Sequence, residues 1–266
     1  MRELVIVDDS AAPLVSIIMA AYNAEKTLGR ALESMHAQTF ADWELIVVDD
    51  ASTDTTPEIL AAWKGRDDRI IVVRNQANKR QGAAANRGFA LSRGKLIARM
   101  DSDDWSAPTR LEQQVLFLDA HPEIDILGTA ATLVTPSGRD CGLRILSEDH
   151  TDLYKARFRG GSILNPTAIM RRQVIETLGG YDEKLPRGED AEYWLRAFRA
   201  GFKFHNLDEP LLQYTLRPPT ARDLWFGGYV LLRACRRERL LLSQSMNALR
   251  FVGGGVLTRL KQPRES

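Results

Sequence analysis

Carboxylates gather at three places along this chain: Asp49 with Asp50, then Asp101, Asp103 and Asp104, and finally Glu189 with Asp190. Acids this close repel, and keeping them ionised costs energy unless a cation or hydrogen-bond donors compensate. Hard oxygen ligands of this kind suit Mg2+ or Mn2+, which bind through one or two carboxylates together with substrate phosphates. Other chemistries find less support. There is no GxxxxGK[ST] loop for a nucleotide triphosphate and no GxGxxG for a dinucleotide. His36, His121, His150 and His205 are scattered and no GxSxG accompanies them, so a serine triad is not indicated. Cys141 and Cys235 stand far apart, which excludes a zinc site or disulfide framework and fits a reducing compartment.

The elements that must position these acids can be read from the hydrophobic pattern. Strands are predicted at 14–20, 43–50, 69–75, 95–100 and 124–134, all short continuous apolar runs. Helices are predicted between them, at 25–37, from Thr56, at 82–92 and after Pro108. Thr56-Pro57-Glu58 reads as a helix start, with Thr56 as a hydroxyl cap, Pro in the first turn and an acid near the positive end. Alternating strands and helices predict an α/β fold, a mostly parallel sheet with helices on both faces. Ligands of such sheets bind beyond the carboxyl ends of the strands, where Asp50 and Asp101 fall. The second half is less regular: a loop over the sheet edge at 137–150, a strand at 162–172, then the helix "RQVIETLGG". Residues 189–201 predict an amphipathic helix that Glu189 and Asp190 open and Gly201 ends. "ELVIVDDS" at 3–10 echoes "ELIVVDDAS" at 44–52 too briefly for a duplication and reads as an edge strand or arm.

The chain has 266 residues, is 44% hydrophobic and carries a formal charge of +1, which suits a sizeable core. The charge is uneven. From Arg217 onward ten Arg or Lys face three acids, a surplus of seven, which leaves the rest at −6. Two parts are therefore expected, a catalytic domain over 1–216 and a basic amphipathic helical extension over 217–266. The extension would suit an anionic membrane surface or simply cover the domain. Asp8 and Asp9 interrupt any signal-peptide core, and the longest apolar run near the tail, 224–232, is half a membrane span. A cytoplasmic protein is expected, soluble or peripheral at the inner face of the membrane.

"PLVSIIMAAYNAEKTLGRALESMHAQTFADWELIVVDDASTDTT", "GAAANRGFALSRGKLIARMDSDDWSAPTRLEQQ", "NPTAIMRR" and "GEDAEYWLRAFRAGF" follow one another in an order that resembles the family 2 inverting glycosyltransferases. The resemblance covers roughly residues 13 to 216 and implies a GT-A fold with a nucleotide-sugar donor, a UDP-sugar above all, and a glycan or lipid-linked acceptor. No nucleic acid is expected. By this resemblance Ala20, Tyr22 and Asn23 would line the nucleotide pocket, with Tyr22 either stacked on the base or packed in the core. Asp50 would accept a hydrogen bond from the base. Asp101 and Asp103 form the D-x-D, the first toward ribose and diphosphate and the second on Mg2+ or Mn2+; Asp104 either assists or bonds only to backbone. Asp190 would be the general base, and Glu189 either its companion or a helix cap. Asp49 is expected to hold the turn after its strand, and Trp105 and Trp194 to pack. The chain departs from the family pattern where relatives carry His after "YR"; "QYTLRPPT" stands here, so Arg217 would meet the diphosphate directly, with Arg80 as a second phosphate contact. Two other readings are open: a nucleotidyltransferase on a related sheet, and a non-catalytic nucleotide-sugar or polyanion-binding module.

Overall fold

The computed structural model describes residues 12–158, 162–217, 225 and 228–230. The first half follows the pattern of the sequence closely. Strand β1 (Val15–Ala21), helix α1 (Leu28–His36), β2 (Trp43–Asp49), α2 (Thr56–Lys64), β3 (Ile70–Arg74), α3 (Arg80–Leu91) and β4 (Leu96–Asp101) form successive β-α-β units. β1 pairs in parallel with both β2 and β4, and β2 with β3. All seven residues of β2 are buried, as expected of a strand covered on both faces.

The period of two assigns alternate residues to two cores. Val15, Ile17 and Met19 of β1 meet Leu28, Leu32 and Met35 of α1, with Leu45, Val47 and Leu60 nearby. Ile18 joins the opposite core with Ile46, Val48 and Ile97, beneath Ala84, Ala85 and Phe89 of α3. Gly88 lets α3 approach closely, since a Cβ there would lie 2.5 Å from Ile18 Cγ2.

The start of α2 differs from expectation. The Thr56 hydroxyl accepts from the Ala24 amide at 2.8 Å instead of capping its own helix. Asp54 Oδ1 accepts from the Thr56 amide at 3.0 Å and holds the turn that leads into the helix. A short strand β5 (Trp105–Ser106) also precedes α4 (Arg110–Ala120), so that helix begins later than Ser106-Ala107-Pro108 suggested.

Beyond β4 the sheet becomes mixed, with the order β3-β2-β1-β4-β8-β6-β9-β5 and β7 paired to β6. Here β6 is Ile126–Val134, β7 Asp140–Arg144, β8 Ile169–Arg171 and β9 Phe204–Thr215. Helices α5 (His150–Ala156), α6 (Arg172–Leu178) and α7 (Glu189–Ala200) complete the chain order. The predicted loop at 137–150 is therefore a hairpin strand on β6 and the start of a helix. The predicted strand at 162–172 is mostly a 3-10 turn at Asn165–Thr167, followed by only three strand residues. Strand β9 runs parallel to β6 and was not signalled by the sequence, because polar residues and Pro210 interrupt it where its register shifts. The near-repeat at 3–10 and nearly all of the basic extension lie outside the described residues. Among the described residues no helix is long and apolar enough to cross a membrane.

Candidate active site

The sheet register brings the acids of separate segments to one edge. Ala20 at the end of β1 lies opposite Asp101 at the end of β4, and Asp50 follows β2 directly, its amide bonded to the Ala21 carbonyl at 2.8 Å. Tyr22 projects from the same edge and is 49% exposed, so it is not a core residue. Asn23 adopts a left-handed backbone, a conformation Asn tolerates, at φ 48°. Its amide donates to Ser52 Oγ at 3.0 Å and its Oδ1 accepts from the Thr53 amide at 2.8 Å. Asn23 thus lashes the loop after β1 to the loop after β2.

The Asp49/Asp50 pair is held by the protein, although the buried Oδ2 of Asp49 has an ion-pair partner and no hydrogen bond. Asp49 Oδ1 accepts from the Ser52 amide at 2.9 Å and Oδ2 lies 3.3 Å from Arg74 Nε, holding the turn as the sequence suggested. Asp50 is buried, and its oxygens accept from Asn75 Nδ2 at 2.6 Å, from the Lys79 amide at 2.9 Å and from the Arg80 amide at 2.7 Å. It therefore sits at the start of α3, where free amides and the helix dipole favour an anion. Arg80 has φ 73°, an uncommon backbone for a non-glycine residue, fixed by that amide contact.

The other acids are poorly compensated. Helix α7 starts at Gly188, whose φ of 75° lets the chain turn so that Glu189 and Asp190 open the helix. Burial, reinforced by Asp190 beside it, pushes Glu189 up to about 7. Burial also raises Asp190, although its Oδ1 accepts from the Ala191 amide at 2.7 Å. Asp101 is pushed to about 6, first by burial and then by Asp103 and Asp190, against the pull of Arg99. Asp104 lies well above the carboxylate range, raised first by burial and then by Asp101 and Asp103, against the Thr215 amide and Arg110. Its Oδ1 accepts from the Thr215 amide at 2.8 Å, while its buried Oδ2 has no hydrogen-bond partner. Asp103 Oδ2 meets Arg217 Nη2 at 2.8 Å.

Two cations beneath these acids escaped the sequence reading. Arg99 and Arg110 are both completely buried. Arg99 Nη1 donates to the Ile18 carbonyl at 3.0 Å and Nη2 reaches Asp101 Oδ1 at 3.5 Å. Arg110 Nη2 donates to the Arg99 carbonyl at 2.8 Å and Nε to Gln114 Oε1 at 3.1 Å. The signal for Arg99 was available: a charge in a strand covered on both faces requires a partner.

A cavity of about 780 Å³ opens between the sheet edge and α7, lined by Arg80, Gln81, Asp101, Glu189, Asp190 and Arg217 at one end. Asn165, Trp194, Leu195 and Phe198 form its other wall. Trp194 packs against Tyr193 and Phe204, as expected of a core ring. Ala20, Tyr22, Asn23, Asp50, Asp103 and Asp104 do not line this cavity; Asp103 joins it through Arg217. Among the described residues no three His, Cys, Asp or Glu are so placed that they could hold a metal ion by themselves. Mg2+ and Mn2+ need no such cage when a diphosphate supplies the remaining ligands. The unpartnered Asp104 oxygen and the crowding of Asp101 with Asp103 fit a divalent cation arriving with its own ligands.

With this geometry in view, the comparisons with known proteins are consistent. The Glycosyl transferase family 2 model matches residues 16–178. EpsE of Bacillus subtilis, which bears a glycosyltransferase name, is 37% identical over 96% of this chain and 95% of its own length. WfaP of Escherichia coli, named a UDP-Glc:alpha-D-GlcNAc-diphosphoundecaprenol beta-1,3-glucosyltransferase, is 40% identical over 73% of each chain. Among solved structures, residues 1–349 of S. aureus TarS in complex with UDP superpose with a TM-score of 0.69 at 23% identity, covering 90% of this chain and 69% of that fragment. That likeness bears on the fold, which is of the GT-A type. These findings set aside the nucleotidyltransferase and binding-module readings: the chain belongs to glycosyltransferase family 2 and is a glycosyltransferase.

Proposed function

We propose that the protein transfers a sugar from a nucleoside-diphosphate donor, a UDP-sugar, to an acceptor hydroxyl with inversion at the anomeric carbon. The observation that carries this reading is the pair of raised acids opening α7 on the cavity wall, with the D-x-D strand facing them. A carboxylate held above its ordinary range is a stronger base near neutral pH, and a positioned base contributes roughly 10²–10⁴ in rate.

In this mechanism Asp190 takes the proton of the acceptor hydroxyl as its oxygen bonds to the anomeric carbon. The bond from that carbon to the diphosphate oxygen breaks on the opposite face, and the diphosphate leaves with the electron pair. Glu189 stands beside Asp190 on the cavity wall as its companion carboxyl. Arg217 and Arg80, both on the cavity wall, meet the diphosphate as charge develops there. Asp103, with Asp101 and Asp104 behind it, would hold Mg2+ or Mn2+, which supplies charge stabilisation at the leaving oxygen. Tyr22 offers an exposed ring to the base, with Ala20, Asn23 and Asp50 shaping the strand edge beside it.

The acceptor of WfaP is a lipid-linked diphospho-sugar, and a related acceptor here would place the protein in bacterial surface polysaccharide or glycolipid synthesis. Residues 1–216 would be the catalytic domain and 217–266 an extension that meets an anionic membrane surface. Trp225 and Tyr229 stack at 5.7 Å and are exposed, as suits aromatic side chains at a lipid interface. Analysis of turnover with α-linked UDP-sugars tests the central point. A β-linked product that ceases to form in EDTA is expected; an α-linked product refutes inversion, and full activity in EDTA refutes metal dependence.

A further inference from the structure

The cations around the acids differ in how they are held. Arg99 and Arg110 are buried and fixed by main-chain carbonyls, so neither can leave. Arg217 is different: its side chain is 74% exposed, yet its guanidinium contacts Asp103 at 2.8 Å. Its backbone origin is well anchored. β9 pairs with β5, Gln213 opposite Trp105, and the Thr215 amide and hydroxyl donate to Asp104 Oδ1 and the Asp103 carbonyl. With the strand and the acid loop already joined in this way, the Arg217 contact is not needed as a structural tie.

We propose that Arg217 is a displaceable counter-cation: it occupies the Asp103 carboxylate until a divalent cation and the donor diphosphate arrive, and then moves from carboxylate to diphosphate. The proposal rests on the metal-dependent reading above. The same oxygen that would ligate the cation carries the guanidinium, so the two compete for it. An arginine is suited to both positions, because its planar fork matches carboxylate and phosphate alike. Exposed ion pairs are weak, so the competition should be modest, about two- to fivefold in cation affinity. The diphosphate contact is charge-assisted and should be worth about tenfold or more. Removing Arg217 should therefore have opposite effects on the two binding steps.

Free Mn2+ measured by electron paramagnetic resonance during titration reads this without turnover. The full chain, R217A, R217K and D103N would each be titrated with Mn2+, alone and with UDP. Without UDP, R217A is expected to bind Mn2+ about two- to fivefold more tightly than the unmodified protein, with R217K between them. With UDP the order should reverse, R217A falling about tenfold below the unmodified protein. Equal or weaker Mn2+ binding by R217A in the UDP-free arm overturns the proposal while leaving the metal reading intact. No Mn2+ binding by the unmodified protein in either arm, or undiminished binding by D103N, refutes the metal reading and this proposal with it.

Discussion

Asp50 and Asp190 are both aspartates at the start of a helix, the first buried and the second half-buried, but the two halves of the molecule treat them differently. Asp50 is surrounded by donors from Asn75, Lys79 and Arg80 and belongs to the regular parallel wing. Asp190 has the adjacent Ala191 amide and a crowd of other acids, and it belongs to the mixed half of the sheet. A carboxylate with its donors in place stabilises the fold; one raised by burial costs stability but gains basicity. The comparison suggests that the nucleotide side is preorganised, while the transfer side awaits charge from its ligands.

The largest expected effect separates the two aspartates by function. Asp190→Asn should lower kcat by roughly 10²–10⁴ and leave UDP affinity within a factor of two, as measured by initial rates and calorimetry. Loss of UDP affinity with kcat preserved would instead put Asp190 on the nucleotide side. Asp50→Ala should act mainly on stability, because it removes the acceptor of the buried Asn75 side-chain amide and of the Lys79 main-chain amide at the start of α3. A cost of about 1–3 kcal/mol is expected in chemical denaturation, and an unchanged midpoint would remove the basis of the comparison.

The dependence on pH sharpens it further. Glu189 and Asp101 have folded-state values near 7 and 6, above their unfolded values. Between the unfolded and folded values the native state binds more protons, so stability from these groups falls as pH rises through that window. Without ligand, the Tm should therefore drop between pH 5 and pH 8, and Glu189→Gln should flatten the drop. The rate has the opposite slope, since Asp190 must be ionised: kcat should fall as pH is lowered, with a midpoint above the ordinary aspartate range because burial raises Asp190. A Tm that is flat from pH 5 to pH 8 would contradict the assignment. The smallest effect concerns the extension. Co-sedimentation with anionic vesicles that weakens with salt, and none with neutral vesicles, is expected; equal indifference to both would make the extension a cover for the domain.

The same contrast governs how much could be read before the structure. Apolar runs such as "WELIVVDD" made β1 to β4 legible, since β1, β2 and β4 are covered on both faces and such strands leave a strong local signal. β9 left none: its Asp208, Glu209 and Pro210 belong to a bulged segment stabilised by long-range pairing with β6. The D-x-D and the Glu189-Asp190 pair were visible as residue types at strand and helix ends. Their surroundings were only partly so: Arg99 lies two residues from Asp101 on the same strand, but Arg110 and Thr215 come to the acids only through tertiary packing. Asp50 was recognised as important, but its engagement with the start of α3 depends on a loop conformation at Lys79 and Arg80 that no local pattern encodes.

Arg99 and Arg217 offset only part of the negative charge around the cavity, and a divalent cation bound together with the donor supplies the rest. Thermal unfolding at pH 8 with Mn2+ alone, UDP alone and both tests it most directly, because a ligand that binds only the folded state raises Tm in proportion to its affinity. The account predicts a shift with both ligands that clearly exceeds the sum of the separate shifts and disappears in Asp103→Asn. A UDP shift of the same size in EDTA as in Mn2+ would contradict it.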